Sequence, residues 1–191
     1  MPMRTMIGRR SGRTVKFIFL IILVFLLHLQ VRAQVDFRAR LFTGAAGDPP
    51  INARISIESY SSSDELLLLN RHLDLNDIDG FRAAFKLMMK GTLNFPQSSG
   101  LFIQLHAAVE HPTEKGVRIF LVTDAQSAIP GAHKLRSWEF RFLVIVLDLD
   151  KNFNGHGKIY EDAELRFTEK DITMVSSSSV PKMLTNVRLV K

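Results

Sequence analysis

In two runs, Val35–Leu41 and Ala53–Glu58, apolar and polar residues alternate one for one, and this spacing confines the chain to β-strands there. Val35, Phe37, Ala39 and Leu41 are interleaved with Asp36, Arg38 and Arg40, and Ala53, Ile55 and Ile57 with Arg54, Ser56 and Glu58. A period of two sends alternate side chains to opposite faces of a strand, one toward a core and one toward water. Gly44 to Pro50 between the two runs is turn chemistry. Leu101, Ile103, Leu105, Ala107 and Val109 form one face of a third strand, with Gln104, His106 and Glu110 on the other. Val117–Thr123 and Phe140–Leu149 are apolar on both faces, the mark of central, fully covered strands. A hairpin through His111–Gly116 joins the third strand to Val117–Thr123. Lys158–Phe167, Ile172–Ser176 and Met183–Val190 are further strand candidates.

One segment changes period. Ser62 with Glu65 three residues on forms a capping box for a helix through about Arg71. Asn76 with Asp79 caps a second helix, whose Ile78, Phe81, Phe85 and Met88 make one apolar stripe closed by Gly91. The expected fold is therefore α+β. It is mainly an antiparallel sheet of about seven to eight strands, curled, closed as a barrel or doubled as a sandwich, with two helices inserted after the second strand.

The first 33 residues belong to a different kind of segment. A basic cluster (Arg4, Arg9, Arg10, Arg13, Lys16) precedes the apolar run Phe17–Leu27, and Val31-Arg32-Ala33 follows. This order makes residues 1–33 a secretory signal peptide with cleavage before Gln34, and residues 34–191 a single exported domain, periplasmic or secreted. A spanning helix needs about 20 apolar residues, so an uncleaved anchor is the lesser alternative. Arg9-Arg10 is a weak twin-arginine signal, because Ser11, Gly12 and Arg13 follow where apolar residues belong.

Removal of that segment changes the charge argument. Six of the 25 basic residues and none of the 19 acidic ones precede Gln34, which leaves 19 of each in the mature chain. Nucleic-acid binders carry a basic footprint, so no nucleic-acid partner is expected, nor any membrane contact once the signal is cut. The absence of cysteine excludes disulfides, a thiolate nucleophile and any cysteine-ligated metal. The domain must be held by its core alone, and its 158 residues suffice for one.

Several phrases of the chain are familiar. Arg54–Glu65, Gly116–Asp124, Phe140–Asp150 with the Gly155-His-Gly-Lys158 loop, and Met183–Arg188 resemble a family of uncharacterised exported bacterial proteins. The resemblance spans roughly residues 52 to 190. It implies one exported domain and brings neither an activity nor site residues.

The sharpest chemical motif lies in that loop. Asp150, Asn152 and Asn154, then Gly155 and, after five more residues, Glu161 fit a calcium-loop spacing. Calcium takes six to eight hard oxygens, which alternate loop residues supply and a later Glu completes. Against it, a strand rather than a helix enters the loop, Gly157 stands where an aliphatic residue belongs, and two early ligands are neutral. The same residues also suit a polar Asn/Gly turn between two strands, so both readings stand. No other cofactor is indicated.

Other constellations lead nowhere. His106 and His111 are five apart, on opposite faces of a strand, and do not share a metal. There is no nucleophile elbow, P-loop or dinucleotide fingerprint. Asp124, Glu139 and Asp162 are carboxylates that only a fold could pair, and Trp138 is a core or rim residue before it is a stacking platform. The expected function is a non-enzymatic exported binding or interaction domain whose site is a barrel mouth or sheet face and whose partner is a small molecule or a protein. A calcium-stabilised envelope module is the alternative, and a carboxylate-based hydrolase a third.

Overall fold

The computed structural model describes residues 34–43, 48–98, 101–124, 141–178 and 180–190. The expected signal segment, Trp138 and Glu139 lie outside them. Ten strands and two helices follow in the order β1 Val35–Phe42, β2 Ile51–Ile57, α1 Ser63–Asp74, α2 Ile78–Leu87, β3 Gly91–Phe95, β4 Leu101–Leu105, β5 Ala107–Thr113, β6 Gly116–Asp124, β7 Arg141–Asp150, β8 Asn154–Phe167, β9 Ile172–Ser177 and β10 Lys182–Leu189. All strand pairs are antiparallel, in the order β4-β3-β2-β1-β10-β8-β7-β6-β5. β9 pairs with the C-terminal half of β8, whose N-terminal half pairs with β10. The class is α+β, with the helices after the second strand, and the sheet does not close.

The strand count exceeds the expected eight for two reasons. β3 was not legible, because Gly91-Thr-Leu-Asn-Phe95 is too short to show a period. The expected third strand is two, bent at His106. Before the bend Ile103 and Leu105 face one core, and after it Ala107 and Val109 face another. Lys90 N–H bonds the Leu105 carbonyl while His106 N–H bonds that of Val122, so the chain changes partners there and its faces exchange.

Two apolar layers result. The first includes Phe37, Ile55, Leu93, Ile103, Ile145 and Leu184, one from each of six strands. The second joins Leu66, Leu69, Phe81 and Phe85 of the helices to Phe142, Val144 and Phe167 of the strands. β7 supplies both layers, Leu143, Ile145 and Leu147 to one and Phe142, Val144 and Val146 to the other, as its unbroken apolar run requires. Phe81 lies 5.3 Å from Phe85 and 5.5 Å from Phe142 in offset or tilted contacts, each worth about 1 kcal/mol beyond burial.

The helix boundaries follow local chemistry. Ser62 and Glu65 form the reciprocal capping box of α1. Burial opposes ionisation of Glu65, but hydrogen bonds from Lys90 and the Ser62 N–H outweigh it and hold the carboxyl below its usual range. The cap of α2 is Asp77, not Asn76: Asn76 takes a left-handed φ of 52° between the helices, and Asp77 accepts from Gly80 N–H. Nor does Gly91 end α2, which stops at Leu87. Gly91 opens β3 instead, where a Cβ would stand 1.9 Å from the Ser56 carbonyl oxygen. Met88 leaves the helix yet stays buried in the helix layer.

Candidate functional site

The alternation that buries Phe37, Ala39, Ala53 and Ile55 leaves Arg38, Arg40 and Arg54 on the other face of the sheet, exposed. Strand register then decides what they meet. Arg38 of β1 stands directly opposite Arg54 of β2 on one side and Arg188 of β10 on the other. The row continues through Asn94 of β3 to Phe102 of β4, and from Arg188 to Asn154 of β8. Arg40 lies in the neighbouring row, between Asn52 and Thr185. Four guanidinium groups thus share one face of three adjacent strands.

A bulge shapes this face. Arg38 pairs with Arg188 and Arg40 with Thr185, so β10 takes three steps where β1 takes two, and β8 sees the same excess between Leu184 and Val187. The extra length is taken up at Asn186, with φ of 51°, a left-handed conformation that asparagine tolerates better than most residues. Bulges bend a strand and re-aim its side chains. Here the result is a hollow of about 560 Å³ whose polar lining is Arg38, Arg40, Arg188, Asn52 and Asn186. Every charged group in that lining is positive.

Among the described residues none of the four arginines makes an ion pair. The nearest acid along β1, Asp36, accepts a hydrogen bond from Ser56 Oγ. Guanidinium groups keep their charge at any physiological pH and offer a planar fork of donors matched to two oxygens of a carboxylate, sulfate or phosphate. Asn52 and Asn186 add amides able to donate or accept. The arrangement can hold an oxyanion and contains neither a nucleophile nor a general base.

The chain matches no family model, no curated protein and no solved structure.

Of the expected calcium residues, Asp150, Asn152 and Asn154 share one turn and Glu161 stands apart. Asp150 ends β7, and its Oδ1 accepts from the backbone N–H of Asn152 (2.8 Å) and of Asn154 (2.9 Å). Phe153 N–H bonds the Asp150 carbonyl, and Phe153 takes a left-handed φ of 59°, its ring 6.5 Å from that of Phe37. This is a three-residue hairpin turn, the polar-turn alternative. Glu161 lies seven residues past Asn154 along β8, about 23 Å at the rise of an extended strand, and its carboxylate meets Lys182 Nζ. Among the described residues no group of three or more His, Asp or Glu could hold a metal ion.

A second groove, of about 490 Å³, lies over β5–β9 and holds Arg118, Asp148, His111 and Asp171. Four of its groups stand in two close pairs beside Lys158: Arg118 Nε is 2.6 Å from Asp148 Oδ1, and His111 Nε2 is 2.8 Å from Asp171 Oδ1, though not aligned as a hydrogen bond. His106 is engaged elsewhere, its Nδ1 2.8 Å from the Met88 carbonyl and its ring against Phe85. Asp162 is 3.9 Å from Arg141 and accepts from Ser178, while Asp124 ends β6.

The arginine face escaped the sequence reading for a definite reason. Net charge averages over all 19 basic and 19 acidic residues of the expected mature chain and is blind to segregation. The available signal was Arg38, Arg40 and Arg54 at the outward positions of two alternating runs. Only the strand pairing adds Arg188.

Proposed function

We propose that this chain is an exported, non-enzymatic binding domain that captures an anionic group on the outer face of β2, β1 and β10. The observation that carries the reading is the row Arg54–Arg38–Arg188, three like charges on directly opposed positions that make no ion pair among the described residues. Like charges so placed destabilise a sheet, by roughly 0.5 kcal/mol per pair. An oxyanion removes that repulsion and gains charge-assisted hydrogen bonds from the same side chains. Export rests on the signal-like residues 1–33.

Calorimetric titration with inorganic phosphate at low ionic strength tests the reading. Saturable binding on the order of millimolar is expected for one oxyanion in an open hollow. It weakens with added salt and is lost in Arg38→Ala and Arg188→Ala, whereas Arg118→Ala on the second groove leaves it intact. Equal, non-saturating heats from all four proteins would refute it.

A further inference from the structure

The hollow at Asn186 is one end of a longer feature. Arg54 does not line it, yet stands next in the same row, one strand away from Arg38. Strands are spaced about 4.8 Å apart, so Arg188, Arg38 and Arg54 make a track on the order of 10 Å long. One phosphate or carboxylate group in the hollow leaves Arg54 unsatisfied. The track continues past Arg54 to Asn94 and then to Phe102, which is 66% exposed.

We infer that the ligand is an acidic polysaccharide laid across the strands, with successive carboxylates on Arg188/Arg38 and on Arg54. This rests on the anion-binding reading above and names its ligand class. Three features favour a glycan. Its anionic groups recur along a chain, as the guanidinium groups do. Its hydroxyls need partners that both donate and accept, which Asn52 and Asn186 provide beside the charges. Phe102, at the end of the track, is a flat apolar surface for the C–H face of a sugar ring. A single-stranded nucleic acid would call for aromatic platforms between the cations. Here the aromatic groups, Phe102 and Phe42, stand outside the arginine row.

The test is a length series on the purified protein: galacturonate, then its trimer and hexamer, with an oligothymidylate of similar charge and with inorganic phosphate as comparators. Affinity is expected to rise at least about tenfold from monomer to hexamer, the gain of one further hydrogen bond to a charged group. Arg54→Ala removes that gain, Arg38→Ala removes binding of monomer, hexamer and phosphate alike, and Arg118→Ala on the other groove leaves all three unchanged. Phe102→Ser lowers hexamer affinity alone. Monomer and hexamer binding alike would overturn the track and keep the anion hollow. Phosphate bound without either saccharide would do the same, and no binding of any anion would remove both. An oligothymidylate bound more tightly than the hexamer would overturn the glycan assignment and replace it with a nucleic acid.

Discussion

Lys182 and Glu161 meet across β10 and β8 with less than a tenth of either side chain exposed. A buried ion pair contributes little net stability, because desolvation offsets the attraction, but removing one partner strands the other charge. Glu161→Ala is therefore expected to lower unfolding stability by about 3–5 kcal/mol in urea. The loss should be the same in EDTA and in millimolar calcium, since Glu161 is held by Lys182 and not by the loop at Asp150. Replacing both residues, as Glu161→Leu with Lys182→Met, should recover most of it.

The bulge at Asn186 makes a backbone prediction. Glycine accepts its left-handed φ freely, whereas a β-branched residue resists it, so Asn186→Gly should be nearly neutral and Asn186→Val should cost about 1–2 kcal/mol. Anion affinity separates the two roles of this residue. A drop in Asn186→Gly at unchanged stability assigns the amide to the ligand, while unchanged affinity assigns it to the backbone alone.

Relief of the arginine row should be visible without any ligand. Arg38→Gln removes two opposed like-charge pairs, with Arg54 and with Arg188, and should raise the melting temperature at low salt by a few degrees. The gain should shrink at high salt, where the repulsion is screened. Sulfate binding by the unaltered protein should be flat from about pH 5 to pH 9, because guanidinium does not titrate there. A pH-dependent affinity would point to histidine or lysine instead.

His106 sets an acid limit on the fold. Burial pushes its pKa below the ordinary 6.5, and the hydrogen bond to the Met88 carbonyl only partly opposes this. The unfolded chain then binds a proton that the folded one refuses. Stability is fully present above about pH 6.5 and falls as the pH drops from there toward the depressed value. His106→Gln keeps a donor for Met88 and abolishes the titration. Melting temperatures of the two proteins should diverge between pH 7 and pH 5, the unaltered protein losing more.

The legible parts of this protein are those where local spacing alone carries the information. The β1 and β2 alternations, the two-sided apolar runs of β6 and β7, and the Ser62–Glu65 box all correspond to elements of the structure. Gly91–Phe95 was too short to register. The bend at His106 was hidden because apolar residues continue on both sides of it, and only the change of partner from β3 to β6 reverses their faces.

The Asp150 loop shows the same boundary from the chemical side. Its spacing fits a calcium loop and a hairpin turn equally, and the choice depends on where Glu161 points, which the β8–β10 pairing sets. The arginine face goes further still. By itself the sequence determined that Arg38, Arg40 and Arg54 lie opposite a core-facing edge, since that is a matter of period. It did not determine that Arg188, some 130 residues on, would join them. Charge acts through space, and Arg188 stands beside Arg38 only once β10 has paired with β1.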